Sequence, residues 1–171
     1  MMVLALETST RMGSIALLSE GGLIAEYQLG VIPSYSEMLL PLIDRVLRDS
    51  GITMKAIDIF AVAQGPGSFT ALRIGMSVIV GLSIAAHRNI IPVPSLDGLA
   101  TNAGACEHVI CPMLDARRGE VYYALYHQGS GHMLKRLTPY RVAAPERIVQ
   151  AIEDNAVLLG DGFMLHRDLF V

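Results

Sequence analysis

Two stretches of the chain repeat one plan. "VLALETSTRMGSIALLSEGG" and "VICPMLDARRGEVYYALYHQGSG" each run as an apolar strand, an acid at its end, a polar turn with glycine, a second strand and a glycine turn. Glu7 and Asp115 hold the same place in the two stretches. A repeat of this kind marks a duplicated supersecondary unit. It predicts two related lobes, each opening with a strand–acid–hairpin, that face one another across a cleft. A chain of 171 residues is long enough to give two small lobes real cores. The boundary is expected after residue 105, with an N-terminal lobe over 1–105 and a smaller, incomplete C-terminal lobe over 106–171.

The elements between the repeats define the fold class. "MVLALET", "SIALLS" and "LIAEYQL" read as three short strands joined by tight turns. "SYSEMLLPLIDRVLRDSG" reads as a helix: Ser34 and Glu37 have capping-box spacing, and Met38, Leu39, Leu42, Ile43, Val46 and Leu47 form one apolar face. Gly51 is placed to end it, and Pro41 predicts a bend. A buried-type strand "AIDIFAVA", a helix from Phe69 to His87, a strand "IIPVP" and a short helix capped by Ser95 follow. The second half adds strands "HVICPMLDA", "VYYALYH" and "HMLKRLT", a helix "PERIVQAIED" with Pro145 in its first turn, and a strand "AVLLG". The class is α/β, with mixed sheets flanked by helices.

Composition removes several functions. Hydrophobic residues make up 52%, charged residues 17%, and the mean hydropathy is +0.45. That excess over an ordinary water-soluble chain points to an apolar surface for a protein partner. No stretch reads as a membrane span, because the most apolar helix carries Arg73, Ser77, Ser83 and His87. The N-terminus has no basic segment before its apolar run, so no signal peptide is expected and the location is read as cytoplasmic. The net charge is −3, with no run of Lys or Arg, so contact with RNA is expected only through a partner. Cys106 and Cys111 lack CxxC spacing, and none of the five histidines pairs at HxxxH. No metal site is expected.

The sites the sequence can build are few. Glu7, Thr8 and Asp115 on facing hairpins suit a cleft holding Mg-ATP, the acids on the metal and the turn N–H groups on phosphate. Equally, each acid can satisfy its own turn. "GPGSFT" offers Gly65, Gly67 and Ser68 as a turn opening a helix, with free N–H groups for an anion. It lacks the Lys-Ser/Thr pair of a Walker loop and the spacing of a Rossmann fingerprint, so a structural strand-to-helix turn is the first reading. In that helix Ser77, Gly81 and Ala85 form a small-residue stripe, while the other faces are apolar nearly all round. The helix is either central to its own fold or shared between core and partner.

"LALETST", "SEMLLPLI", "GPGSFTALRIG", "PVPSLDGLA" and "LDARRGEVYYALY", in this order along nearly the whole chain, resemble the bacterial TsaB (YeaZ) family. The resemblance implies an actin-like ATPase (ASKHA, RNase H-like) fold with duplicated lobes. It implies a non-catalytic relative of TsaD, the subunit that uses threonylcarbamoyl-adenylate to make threonylcarbamoyladenosine beside the tRNA anticodon. Implied partners are a TsaD-like catalytic subunit, bound through the first lobe, and a TsaE-like ATPase, with tRNA met only through the complex. No cofactor is implied for this chain alone; Mg-ATP or ADP belongs to the complex. The catalytic relative has two metal-binding histidines four residues apart, and these places fall on Ser95 and Leu99, which cannot ligate iron or zinc as histidine does. The same comparison removes a metallopeptidase activity. Tyr35 stands where the family often has His, Ala71 replaces a common Gly, and the chain ends earlier than most relatives. The interface is expected on Met38, Leu39 and Leu42 of the first helix and on Arg73, Ser77, Gly81 and Ala85 of the second, with a homodimer through these helices when the partner is absent. The second reading is an actin-like kinase or ATPase built on Glu7, the Gly65–Ser68 loop and Asp115.

Overall fold

A computed structural model describes residues 1–30, 35–129, 133–152 and 155–170. The chain divides into two compact units, Met1–Val93 and Pro94–Val171.

The first unit opens with the expected meander: β1 (Met2–Glu7), β2 (Gly13–Ser19) and β3 (Gly22–Leu29). Helix α1 (Tyr35–Asp49), strand β4 (Ile59–Gly65), helix α2 (Phe69–Ala86) and strand β5 (Asn89–Pro94) follow. The sheet order is β3-β2-β1-β4-β5. β1 is antiparallel to β2 and parallel to β4, so the sheet is mixed. Strict alternation puts Leu4, Leu6, Ile15, Leu17, Phe60 and Val62 on one face, fully buried. Against them pack Leu39, Ile43, Val46 and Leu47 of α1 and Ala71 and Ile79 of α2.

Helix ends follow local chemistry. Gly51, at φ +67°, closes α1: its N–H donates to the Arg48 carbonyl and the Ile52 N–H to Leu47, both at 3.0 Å. The Ser34 half of the capping box lies outside the described residues. α2 ends in the same way on a left-handed His87, with the Arg88 N–H on the Ser83 carbonyl at 3.1 Å. Ser68 stands at the N-cap of α2, but among the described residues its side chain makes no capping bond. Ser95 also fails as a cap. Pro94 takes that position, and among the described residues the buried Ser95 hydroxyl has no hydrogen-bond partner, which costs on the order of 1–3 kcal/mol.

The second unit repeats the first. It contains α3 (Ser95–Ala100), β6 (Val109–Arg117), β7 (Glu120–Tyr123), β8 (Tyr126–Gln128), β9 (Leu134–Arg136), β10 (Arg141–Ala143), α4 (Pro145–Ala151), β11 (Ala156–Leu159) and α5 (Asp161–Leu165). The helix Ser95–Ala100, placed by the sequence reading with the first lobe, packs on β6 of this unit through Leu96 and Ala100. "VYYALYH" is not one strand but β7 and β8, interrupted at Ala124–Leu125. The two keep a single antiparallel register along β6, with Met113 opposite Tyr123 and Ile110 opposite Tyr126. At the break the Leu125 N–H turns to the Thr138 hydroxyl, at 3.0 Å. β10 and β9 pair outside β7 and β8, and β11 runs parallel to β6. This is the β1-to-β4 plan of the first unit: a hairpin, an outer antiparallel strand and a parallel strand on the other side of the first. β10 and α5 have no counterpart in the sequence expectation, being only three and five residues long.

By length and composition α2 is apolar enough to cross a membrane, with a mean hydropathy of 1.8 over 18 residues, a test that the core helix of a soluble protein also passes. In the fold it lies on its sheet through Ala71, Gly75 and Ile79.

The glycines around these contacts divide into two kinds. At Gly67, φ +154°, a Cβ would lie 2.3 Å from the Ser9 carbonyl oxygen; at Gly160, φ +104°, it would lie 2.1 Å from that of Met113. Gly81, inside α2, faces open space. Gly67→Ala and Gly160→Ala are therefore expected to destabilise the protein by about 2–3 kcal/mol through backbone strain. Gly81→Ala is expected to stabilise it by about 0.5–1 kcal/mol through helix propensity. Differential scanning calorimetry of the three variants checks both signs.

Candidate functional site

The two repeated acids sit at the ends of β1 and β6, and each closes its own turn. A Glu7 carboxylate oxygen accepts the Ser9 N–H. Asp115 Oδ1 accepts the Arg117 N–H at 2.7 Å, and its Oδ2 meets the Arg117 guanidinium at 3.0 Å. The bond from residue i to residue i+2 is the same in both units. Burial pushes the Glu7 carboxyl above the ordinary carboxylate range, and the bonds from Ser9 and Thr8 only partly offset it.

Thr8 and the glycine loop bind the first turn to α2. Thr8 is fully buried, and its hydroxyl donates to the Ala71 carbonyl at 3.0 Å. The Ser68 N–H donates to the Ser9 carbonyl at 2.6 Å. Gly75 leaves the space that the Thr8 side chain fills, since a Cβ there would lie 2.3 Å from its hydroxyl. The second unit uses a carboxylate for the same purpose: Asp161 Oδ1, one residue past Gly160, accepts the Asp115 N–H at 3.1 Å. Within each unit the turn N–H groups of Ser9, Ser68, Asp115 and Arg117 are thus bonded internally. This arrangement fits a locked turn rather than a phosphate cradle.

The expected interface residues separate by burial. Leu39 is fully buried in the first core and Leu42 partly so, while Met38 is exposed. On α2, Arg73, Ser77, Gly81 and Ala85 are all exposed. The helix is buried only along Ala71, Gly75 and Ile79, and its opposite side presents Phe69 at 70% and Ile84 at 68% exposure. The Arg73 guanidinium lies 4.3 Å from the centre of the Phe69 ring. The sequence reading missed Phe69, Val80 and Ile84 on this side. A helix apolar all round does not announce which face is covered; the signal was the spacing of Phe69, Arg73, Ser77 and Gly81 at every fourth residue.

Ser95 is buried and Leu99 packs against the second core. Among the described residues no three His, Cys, Asp or Glu side chains lie together. The polar centre of this unit is instead Asp97, which pattern reading passed over. Its Oδ1 accepts the Tyr126 hydroxyl at 2.7 Å and the Tyr140 hydroxyl at 2.8 Å. Burial, then the carboxylate, raise the pKa of both phenols. Asp97 therefore ties α3 to the sheet.

Comparison with known proteins agrees with this geometry. The profile of the family described as "TsaD: tRNA N6-adenosine threonylcarbamoyltransferase" matches residues 15–160. The tRNA threonylcarbamoyladenosine biosynthesis protein TsaB of Haemophilus influenzae is 31% identical over 94% of this chain and 72% of its own length. That of Bacillus subtilis is 36% identical over 81% of this chain and 60% of its own length. The solved structure of YeaZ from Pseudomonas aeruginosa superposes with a TM-score of 0.84 at 31% identity, covering all of this chain and 82% of that one. The duplicated unit, with its hairpin first and its parallel strand beside it, is the actin-like ATPase fold. On the family profile and these relatives together, the chain belongs to the TsaB (YeaZ) family.

Proposed function

We propose that this chain is a non-catalytic scaffold subunit of the complex that forms N6-threonylcarbamoyladenosine in tRNA. In this reading it binds and supports a TsaD-like catalytic subunit together with a TsaE-like ATPase, in the cytoplasm. The observation that carries the reading is the outward side of α2, where Phe69, Val80 and Ile84 are exposed around the small residues Ser77 and Gly81. Large apolar groups around a small-residue stripe let another helix approach closely and bury them. The same side closes on a second copy when the partner is absent. Met38 and Leu40 of α1, both exposed, extend the surface. Ser95 and Leu99 support the non-catalytic part, because neither side chain is a transition-metal ligand.

The second reading, an ATPase using Glu7, the Gly65–Ser68 loop and Asp115, is favoured by the duplicated fold. The bonds of those residues to their own turns weigh against it. Mg-nucleotide, where the complex uses it, would meet acids already bonded within the protein.

Two outcomes test these readings. Ser77→Glu and Gly81→Glu are expected to abolish both self-association and binding to the TsaD-like subunit in sedimentation velocity, while the far-UV circular dichroism stays unchanged; unaltered association would refute the assigned surface. Substitution of Glu7 tests its burial through pH and separates scaffold from ATPase through activity. A buried acid with a raised pKa keeps its proton in the folded state at pH values where the unfolded chain has lost it. That contribution to stability is complete below the ordinary carboxylate range and disappears as pH rises through the raised value. Glu7→Gln retains an acceptor for Ser9, so chemical denaturation from pH 4 to pH 8 is expected to show a smaller loss of stability with pH than the parent. Modification by the assembled complex is expected to be unchanged in this variant, whereas an ATPase built on Glu7 would lose turnover.

A further inference from the structure

We propose that the outer sheet edge of the second unit, formed by β9 and β10, is a contact surface for the sugar–phosphate backbone of the RNA substrate, with Lys135 and Arg141 as its phosphate-binding groups. The inference rests on the scaffold reading, which brings tRNA to the assembled complex.

The edge has one sign of charge in a chain that has the opposite balance. The whole sequence carries 13 Lys and Arg against 16 Asp and Glu. Between Met133 and Ala143 stand Lys135, Arg136 and Arg141 and no acid at all. Only the turn of residues 137–140 separates Arg141 from Lys135 and Arg136. Pairing brings them into line. Lys135 stands opposite His127, and Arg141 opposite Tyr123, along the single register of β7 and β8. At about 3.3 Å per residue, the two backbones are about 13 Å apart along the edge. Phosphates of one nucleic-acid strand advance about 3.4 Å each along a helix axis, so the two cations reach different nucleotides.

The charges are also available. Arg45, Arg48 and Arg117 are paired with Asp49, Asp44 and Asp115. Arg136 is already engaged, 3.8 Å from Asp97 and 4.1 Å from the centre of the Tyr140 ring. Among the described residues neither Lys135 nor Arg141 has a carboxylate within ion-pair distance, and both are exposed. Tyr140, beside them, is held by its hydroxyl on Asp97 and keeps part of its ring exposed. Charges on an edge strand also guard it against pairing with another chain, but a guard works with either sign. Two exposed cations on strands that carry no acid suit a polyanion.

The test is binding of tRNA to the assembled complex of this chain with its TsaD-like and TsaE-like partners, read by fluorescence anisotropy from 50 to 200 mM KCl. Lys135→Gln combined with Arg141→Gln is expected to weaken binding on the order of tenfold at 0.1 M salt and to lower the log–log salt slope by about 1.5–2. Lys55→Gln, an exposed cation of the first unit, is expected to leave both unchanged. Equal affinity and slope in the double variant would overturn the proposal. So would loss of assembly by that variant in sedimentation, which would make the edge a protein-docking surface. Failure of the parent chain to assemble at all refutes the scaffold reading itself, and this inference with it.

Discussion

The loop between β4 and α2 lies on the turn after β1 with no room for a side chain between them. Ser68 donates to the Ser9 carbonyl, Gly67 passes within contact of the same group, and Thr8 fills the space left by Gly75. These contacts fix where α2 begins and how it is rotated. With Ala71 and Gly75 against the turn, Ile79 falls into the core, and Phe69, Ser77, Val80, Gly81 and Ile84 face outward. The second unit makes the corresponding approach with Gly160 and Gly162 against Met113 and Leu114. A backbone contact this close holds the rotation of α2, so an apolar side stays exposed.

The residues that looked most like chemistry are the ones that hold this contact. Glu7 and Asp115 satisfy the N–H two residues on, and "GPGSFT" gives its N–H at Ser68 to a carbonyl. The acids are bonded within their own units, and the side of α2 away from the sheet is exposed and apolar.

Much of the fold was legible in the sequence because it rests on local periodicity. The alternation in "VLALET", the spacing of Leu39, Ile43 and Val46, and the repeat of strand, acid and hairpin all survive as β1, α1 and the duplicated units. What escaped depends on tertiary contact. The break at Ala124–Leu125 arises because Thr138 supplies a hydroxyl to Leu125, a pairing no local pattern contains. Ser68 and Ser95 have the residue type of a cap but not its geometry. Leu39 belongs to the apolar face of α1 and cannot also serve a partner, since that face is the core. The basic stretch from Lys135 to Arg141 stands in the sequence, but that Arg136 is held by Asp97 depends on tertiary contact.

The scaffold account is tested most directly by threonylcarbamoylation of tRNA by the TsaD-like and TsaE-like subunits, supplied with threonylcarbamoyl-adenylate, with and without this chain. Modified nucleoside measured by mass spectrometry is predicted to form efficiently only when the chain is present, and none is predicted from the chain alone. Equal modification without it, or modification by the chain by itself, would contradict the account.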